Sequence, residues 1–275
     1  MVELQTPLTR QLGIEVPIFS AGIGSAAGPE LVAAVSNAGG FGVLGASAYN
    51  AASIGGLIAR TRALTDRPFG VNIIIDDRDL PGQEIAELRD QVSAAIRERP
   101  AALVLFWGVL ASGGIGDGAG IARALQLGAQ AVSLGTRFVA SDEAFVHPAY
   151  KRRIVDGKAD DTILNELYDV WWPNAPHRTL RNKTSGEWEA AGRPTPGQRP
   201  GEGTPIGKRR LATGDISDWP RYAIGVATPD FDGDVEYAPL WAGESCSVVN
   251  DIRPAGELVR DLARDAANVL ASVTA

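Results

Sequence analysis

Two stretches decide the fold: Ala111-Ser-Gly-Gly-Ile-Gly-Asp-Gly118 and, about twenty residues on from its start, Ala131-Val-Ser-Leu-Gly-Thr136. Each is a short strand-like run that breaks into glycine, and a helical pattern over residues 118–127 joins them. Strand, glycine turn, helix, strand and glycine turn in succession make a βα repeat. Glycine lets backbone N–H groups approach an anion with no Cβ in the way. A helix start adds oriented N–H donors and a favourable dipole. Gly113, Gly114, Ser133, Leu134, Gly135 and Thr136 are therefore read as a phosphate site built from two consecutive turns. No Gly-Lys-Ser/Thr follows, so this is not a Walker loop.

Towards the N-terminus the same rhythm continues. Pro17-Ile-Phe-Ser-Ala21 reads as a strand, and Pro29-Glu-Leu-Val-Ala-Ala-Val-Ser-Asn37 has helical spacing closed by Gly39-Gly40. Residues 41–46 form a second buried strand, 51–64 a helix, 68–75 a third strand, 83–98 a charged helix and 101–107 a fourth strand. Continuous apolar runs suit parallel strands covered by helices. The expected class is α/β, a TIM-type (β/α) barrel.

The rhythm breaks once. After Trp107-Gly108 the chain passes directly into Val109-Leu-Ala-Ser-Gly-Gly114, although a parallel crossover needs about a dozen residues. Either residues 101–112 form one long strand, or two strand ends are spliced. Only five or six strands can be counted where a closed barrel needs eight, so the barrel is expected to be incomplete by about two βα units. Residues 1–150 are read as the barrel portion and 151–245 as an irregular cap, because 194–205 (PTPGQRPGEGTP) resists regular structure. Residues 246–275 end in a helix with Leu258, Leu262 and Ala266 inward.

Composition narrows the functional classes. The chain has 275 residues, a net charge of −7, one cysteine and two histidines. The acidic balance opposes a nucleic-acid partner, and Cys246 alone excludes an internal disulfide and a Cys-rich metal site. The apolar stretch 101–111 is shorter than the roughly 20 residues of a membrane span. With no secretory signal in MVELQTPLTR, a cytoplasmic protein is expected.

Other residues invite chemistry. Asn72 sits in an apolar run and needs a partner, either backbone or ligand. Ala21, Gly22 and Ile23 end the first strand and could present backbone to a flat ring. His147 precedes a proline and reads as a helix start; His177 lies in the cap without a recognisable triad partner. Asp76-Asp-Arg-Asp79 reads as solvated charge, and Trp171-Trp172 as packing of the cap. Arg78, Arg137, Arg178 and Arg181 receive no role. No catalytic residue and no metal ligand is assigned.

Six ordered motifs resemble the nitronate monooxygenase family, formerly 2-nitropropane dioxygenase. They are Pro17-Ile-Phe-Ser-Ala21, Ala33-Ala-Val-Ser-Asn-Ala-Gly-Gly-Phe-Gly42, Thr61-Arg-Ala-Leu-Thr-Asp-Arg-Pro-Phe-Gly-Val-Asn72, Ala111-Ser-Gly-Gly-Ile-Gly-Asp-Gly118, Leu134-Gly-Thr-Arg-Phe138 and His147-Pro-Ala-Tyr-Lys151. Trp171-Trp-Pro173, Leu180-Arg-Asn182 and Leu240-Trp-Ala-Gly-Glu-Ser245 extend the likeness into the cap. The resemblance implies a barrel holding non-covalent FMN at the C-terminal strand ends. Asn72 would contact the flavin, Gly113 and Gly114 would wrap its phosphate, and Ser133, Leu134, Gly135 and Thr136 would close that site. Ala21, Gly22 and Ile23 would pass beneath the ring. The implied reaction is oxidation of an alkyl nitronate by O2 to a carbonyl compound and nitrite.

The departure falls at the same break. In the family, about two βα units stand between strands resembling residues 103–107 and 109–112, and carry an Ala-Gln-Gly-x-Glu-Ala-Gly-Gly-His signature that supplies flavin contacts and the presumed base. That signature is absent here. Two alternatives stay open: a flavin-dependent enoyl-ACP reductase-like enzyme, whose barrel pattern is similar, and a non-catalytic flavin-binding remnant. Open sheet edges also leave a homo-oligomer open.

Overall fold

The computed structural model describes residues 4–47, 49–73, 82–98, 100–105, 111–211 and 214–273. The N-terminal half alternates strand and helix. After α1 (Pro7–Leu12) come β1 (Ile18–Ser20), α2 (Pro29–Asn37), β2 (Gly42–Gly45), α3 (Ala51–Leu64), β3 (Phe69–Ile73), α4 (Gly82–Arg97) and β4 (Ala102–Leu105). The series resumes with β5 (Ala111–Ser112), α5 (Gly118–Gln126), β6 (Val132–Leu134) and the short α6 (Thr136–Val139). The helices start where the sequence supplies caps. Pro29 occupies the first turn of α2, Asn50 accepts from the Ser53 amide at α3, and Asp117 accepts from the Gly120 amide at α5; such caps satisfy amides the helix itself leaves open.

All the strand pairs in this half are parallel. One sheet has the order β1-β6-β5 and another β2-β3-β4. A parallel bridge between Phe19 and Phe41 joins them, so the six strands run β4-β3-β2-β1-β6-β5. This is the order of a TIM-type α/β fold in which β6 closes back on β1. Among the described residues no pairing joins β4 to β5, and the closed eight-stranded barrel expected of the class is not seen. The junction after Gly108 lies in residues 106–110, outside the described residues.

The remainder is less irregular than its sequence suggested. It contains α7 (Pro148–Asp156), a hairpin of β7 (Thr162–Asn165) and β8 (His177–Leu180), and α8 (Lys183–Ala190). An antiparallel sheet of β9 (Pro205–Arg210), β10 (Ile216–Pro220) and β11 (Asp232–Gly233) follows, before α9 (Ala255–Val273). One apolar cluster runs from the strands (Ile18, Val132, Leu134) through the cap (Trp219, Leu240, Cys246) to α9 (Leu258, Leu262, Ala266). The cap thus shares the core of the strands. Burial of such side chains contributes about 1.5–3 kcal/mol each. A second cluster, including Val32, Leu44, Ile54, Ile58, Val71 and Ile73, fixes α2 and α3 against β2 and β3.

Candidate functional site

Because the strands are parallel, the turns after β1, β5 and β6 and the last residues of β3 share one end of the sheet, the usual place for a site in an α/β fold. Register sets the level. Ser112 pairs with Ser133, and Phe19 with Ser133, so the two glycine-bearing turns leave the sheet side by side. Gly113 (φ +90°) and Gly114 (φ +71°) take left-handed conformations that a side chain would strain. Both are exposed, and no atom lies within 4 Å of where their Cβ atoms would stand. The backbone of this turn faces open space.

The expected residues come together in an unbroken path. A Cβ on Gly22 would stand 2.5 Å from the Asn72 Cβ and 2.8 Å from its Oδ1. Asn72 itself is buried. The Ala21 amide donates to the Leu134 carbonyl at 3.0 Å, and a Cβ on Gly135 would touch the Ala21 Cβ at 3.9 Å. Leu134 contributes backbone only, since its side chain belongs to the main core. Ile23 sits half-buried at the edge of that core.

A segment that sequence reading did not nominate closes the path. The Gly243 amide donates to Thr136 Oγ1 at 2.9 Å. The position of a Cβ on Gly243 lies 3.6 Å from Thr136 Oγ1, 3.6 Å from Ser245 Oγ and 4.0 Å from the Gly114 amide nitrogen. Hydroxyl and amide donors from three separate segments thus border one small space. That cradle has the donor set a phosphate needs, without relying on a positive charge. The signal for the third segment was present in Leu240-Trp-Ala-Gly-Glu-Ser245, but 107 residues separate Thr136 from Gly243, so only the fold joins them.

The remaining candidates have structural work. His147 caps α7, its Nδ1 accepting from the Ala149 amide at 3.1 Å. His177 packs edge-on to Trp241 and stacks with Trp172, with Nδ1 2.7 Å from the Ala175 carbonyl and Nε2 accepting from the Tyr168 amide at 3.4 Å. Burial pushes the pKa of both histidines down. Arg137 is buried against Asp251 at 2.9 Å and donates to the Ala140 carbonyl. Arg178 pairs with Glu244 at 3.0 Å, and Arg181 with Glu189. Trp172 belongs to the aromatic packing, whereas Trp171 is 59% exposed beside Arg209. Arg78 and the cluster Asp76-Asp-Arg-Asp79 lie outside the described residues.

The nitronate monooxygenase family model matches in two overlapping stretches, residues 5–101 and 82–265. The chain is 27% identical to a (3aS,4S,5R,7aS)-5-hydroxy-7a-methyl-1-oxo-octahydro-1H-indene-4-carboxyl-CoA dehydrogenase of Mycobacterium tuberculosis, over 100% of this chain and 99% of the relative. It is 25% identical to a nitronate monooxygenase of Paraburkholderia phytofirmans, over 92% and 93%. Among solved structures, FabK of Thermotoga maritima superposes with a TM-score of 0.76 at 25% identity, covering 98% of each chain. A match that reaches from α1 to α9 and includes both glycine-bearing turns places the chain in the nitronate monooxygenase family, as a flavin-dependent oxidoreductase.

Proposed function

We propose that the chain binds FMN non-covalently at the carboxyl ends of its parallel strands and oxidises alkyl nitronates with O2 to a carbonyl compound and nitrite. The observation that carries this reading is the convergence of the Gly114 amide and the Thr136 hydroxyl on one cradle. Gly113, Gly114, Ser133, Leu134, Gly135 and Thr136 would hold the phosphate; Asn72 would contact the ring; and Ala21, Gly22 and Ile23 would run beneath it. When bound, FMN would accept electrons from the substrate and pass them to dioxygen.

The engagement of the two histidines shapes the substrate. Both histidines are engaged through ring nitrogens in helix capping and aromatic packing. A neutral nitroalkane needs a base to remove its α-proton, whereas a nitronate arrives as the anion. Residual activity is therefore confined to nitronates. An incomplete barrel accounts for the lost base. Only residues 106–110 lie between β4 and β5, too few for a crossover helix, and the alignment to the mycobacterial relative spans 361 positions for 275 residues. The surplus of alignment positions supports a reading in which about two βα units are absent.

The test is oxygen uptake and nitrite release by the FMN-loaded chain, with ethyl nitronate and with neutral nitroethane. The nitronate is expected to react at least about tenfold faster; equal rates would contradict the reading. An acyl-thioester reductase or dehydrogenase is the second reading, favoured by the full-length match to a CoA dehydrogenase and the overlay on FabK. Its mark would be NAD(P)H-driven turnover of an acyl thioester, which the nitronate reading does not require.

A further inference from the structure

Gly243 is a glycine that neither backbone nor packing demands. Its φ of −81° and ψ of 168° are open to any residue. A Cβ there would meet nothing closer than 3.6 Å, which is ordinary van der Waals contact. Gly22 is the opposite case, since a Cβ would collide with Asn72 at 2.5 Å. The bare α-carbon of Gly243 instead borders the space that the Gly114 amide and the Thr136 hydroxyl share.

Ser245, two residues on, supplies an independent observation. The residue is only 7% exposed, yet its hydroxyl has no hydrogen-bond partner among the described residues. The oxygen itself is not sealed in the core; it opens at the rim of the cradle, where it is available to a ligand. The glycine-rich turn holds it there. A Cβ on Gly116 would lie 3.1 Å from both the Cβ and the carbonyl oxygen of Ser245, so Gly116 admits the cap segment at close range. Glu244, between the two, is turned onto Arg178 at 3.0 Å, which neutralises a carboxylate that would repel an anion. Thr136 completes the arrangement: its oxygen accepts the Gly243 amide, which leaves the hydroxyl proton free to donate elsewhere.

We infer that residues 243–245 of the cap form a third wall of the phosphate pocket, with Ser245 Oγ donating to the ligand's phosphate and Gly243 kept bare to admit a phosphate oxygen. This rests on the FMN reading and extends it: cofactor binding depends on the docked cap as well as on the barrel turns. The ligand class is a phosphate monoester, and the dephosphorylated flavin should not sense these two residues.

The experiment is titration of the full chain with FMN and, separately, with riboflavin, followed by quenching of flavin fluorescence. It is run on the wild type, Gly243→Ala and Ser245→Ala, with circular dichroism and a urea midpoint as folding controls. The wild type is expected to prefer FMN. Each variant should keep the wild-type fold and riboflavin affinity but bind FMN about tenfold or more weakly. If the wild type prefers FMN and both folded variants retain that preference in full, the third wall is wrong and the FMN reading stands. If the wild type binds FMN no better than riboflavin, the FMN reading fails and the inference fails with it.

Discussion

The side chain of Asn72 lies directly against the α-carbon of Gly22, so close that a methyl group on Gly22 would stand 2.5 Å from the Asn72 Cβ. Two strands of the parallel sheet, β1 and β3, are thereby held at a fixed spacing across the intervening β2. The contact joins the residues expected beneath a flavin ring to the one expected to contact it.

Gly22→Ala tests that contact. Overpacking of this kind costs about 1–3 kcal/mol, because the buried Asn72 must move. The urea midpoint should fall accordingly, and flavin affinity should fall with it. A variant of unchanged stability and affinity would show that the two residues are not in this contact.

Thr136 ties barrel to cap. Thr136→Val keeps the shape but removes the oxygen that accepts the Gly243 amide. The expected loss is about 0.5–1.5 kcal/mol of stability, together with weaker FMN binding. Thr136→Ser should retain most of both, and thermal unfolding with FMN titration reads the difference.

Stability should fall on acidification in a defined window. Burial lowers the pKa of His177 and of His147 in the folded chain below the ordinary value of 6.5. The unfolded chain then binds more protons as pH drops below about 6.5, so stability declines through that range. The decline levels off once the pH passes below the folded values. His177→Gln should flatten part of it, as measured by urea denaturation between pH 7 and pH 5.

Lys151 is buried, and its Nζ donates to the carbonyls of Ser141 at 2.6 Å and Asp142 at 3.0 Å. Lys151→Met keeps the aliphatic stem and leaves both acceptors without their donor. A loss of about 1–3 kcal/mol is expected. Because these carbonyls follow α6, FMN affinity should weaken as well, which distinguishes this variant from a purely distant destabilisation.

Where local chemistry decided the structure, the sequence could be read directly. Helices α2 and α3 lie where they were expected, over 29–37 and 51–64. The expected helix over 118–127 and strand over 131–134 were found as α5 and β6. Helix α1 escaped notice because six residues carry no periodic signal; its Thr6–Thr9 capping box holds it. Strand β9 was hidden for another reason. Residues such as Lys208 and Arg210 are exposed, so no apolar alternation marks it, and antiparallel pairing with β10 makes it a strand. In the site, the glycines of each turn were legible one turn at a time. Gly243 and Ser245 were not, because they join the site only through a cap that packs into the same core as the strands.

The central claim is that the turns after β5 and β6 grip one phosphate together. The most direct measurement is the phosphorus NMR spectrum of FMN bound to the full chain, recorded between pH 5 and pH 8. The account predicts a single resonance displaced from free FMN, with a pH profile altered by the surrounding donors. A resonance that tracks free FMN across that range, while the flavin absorbance reports a bound ring, would contradict it.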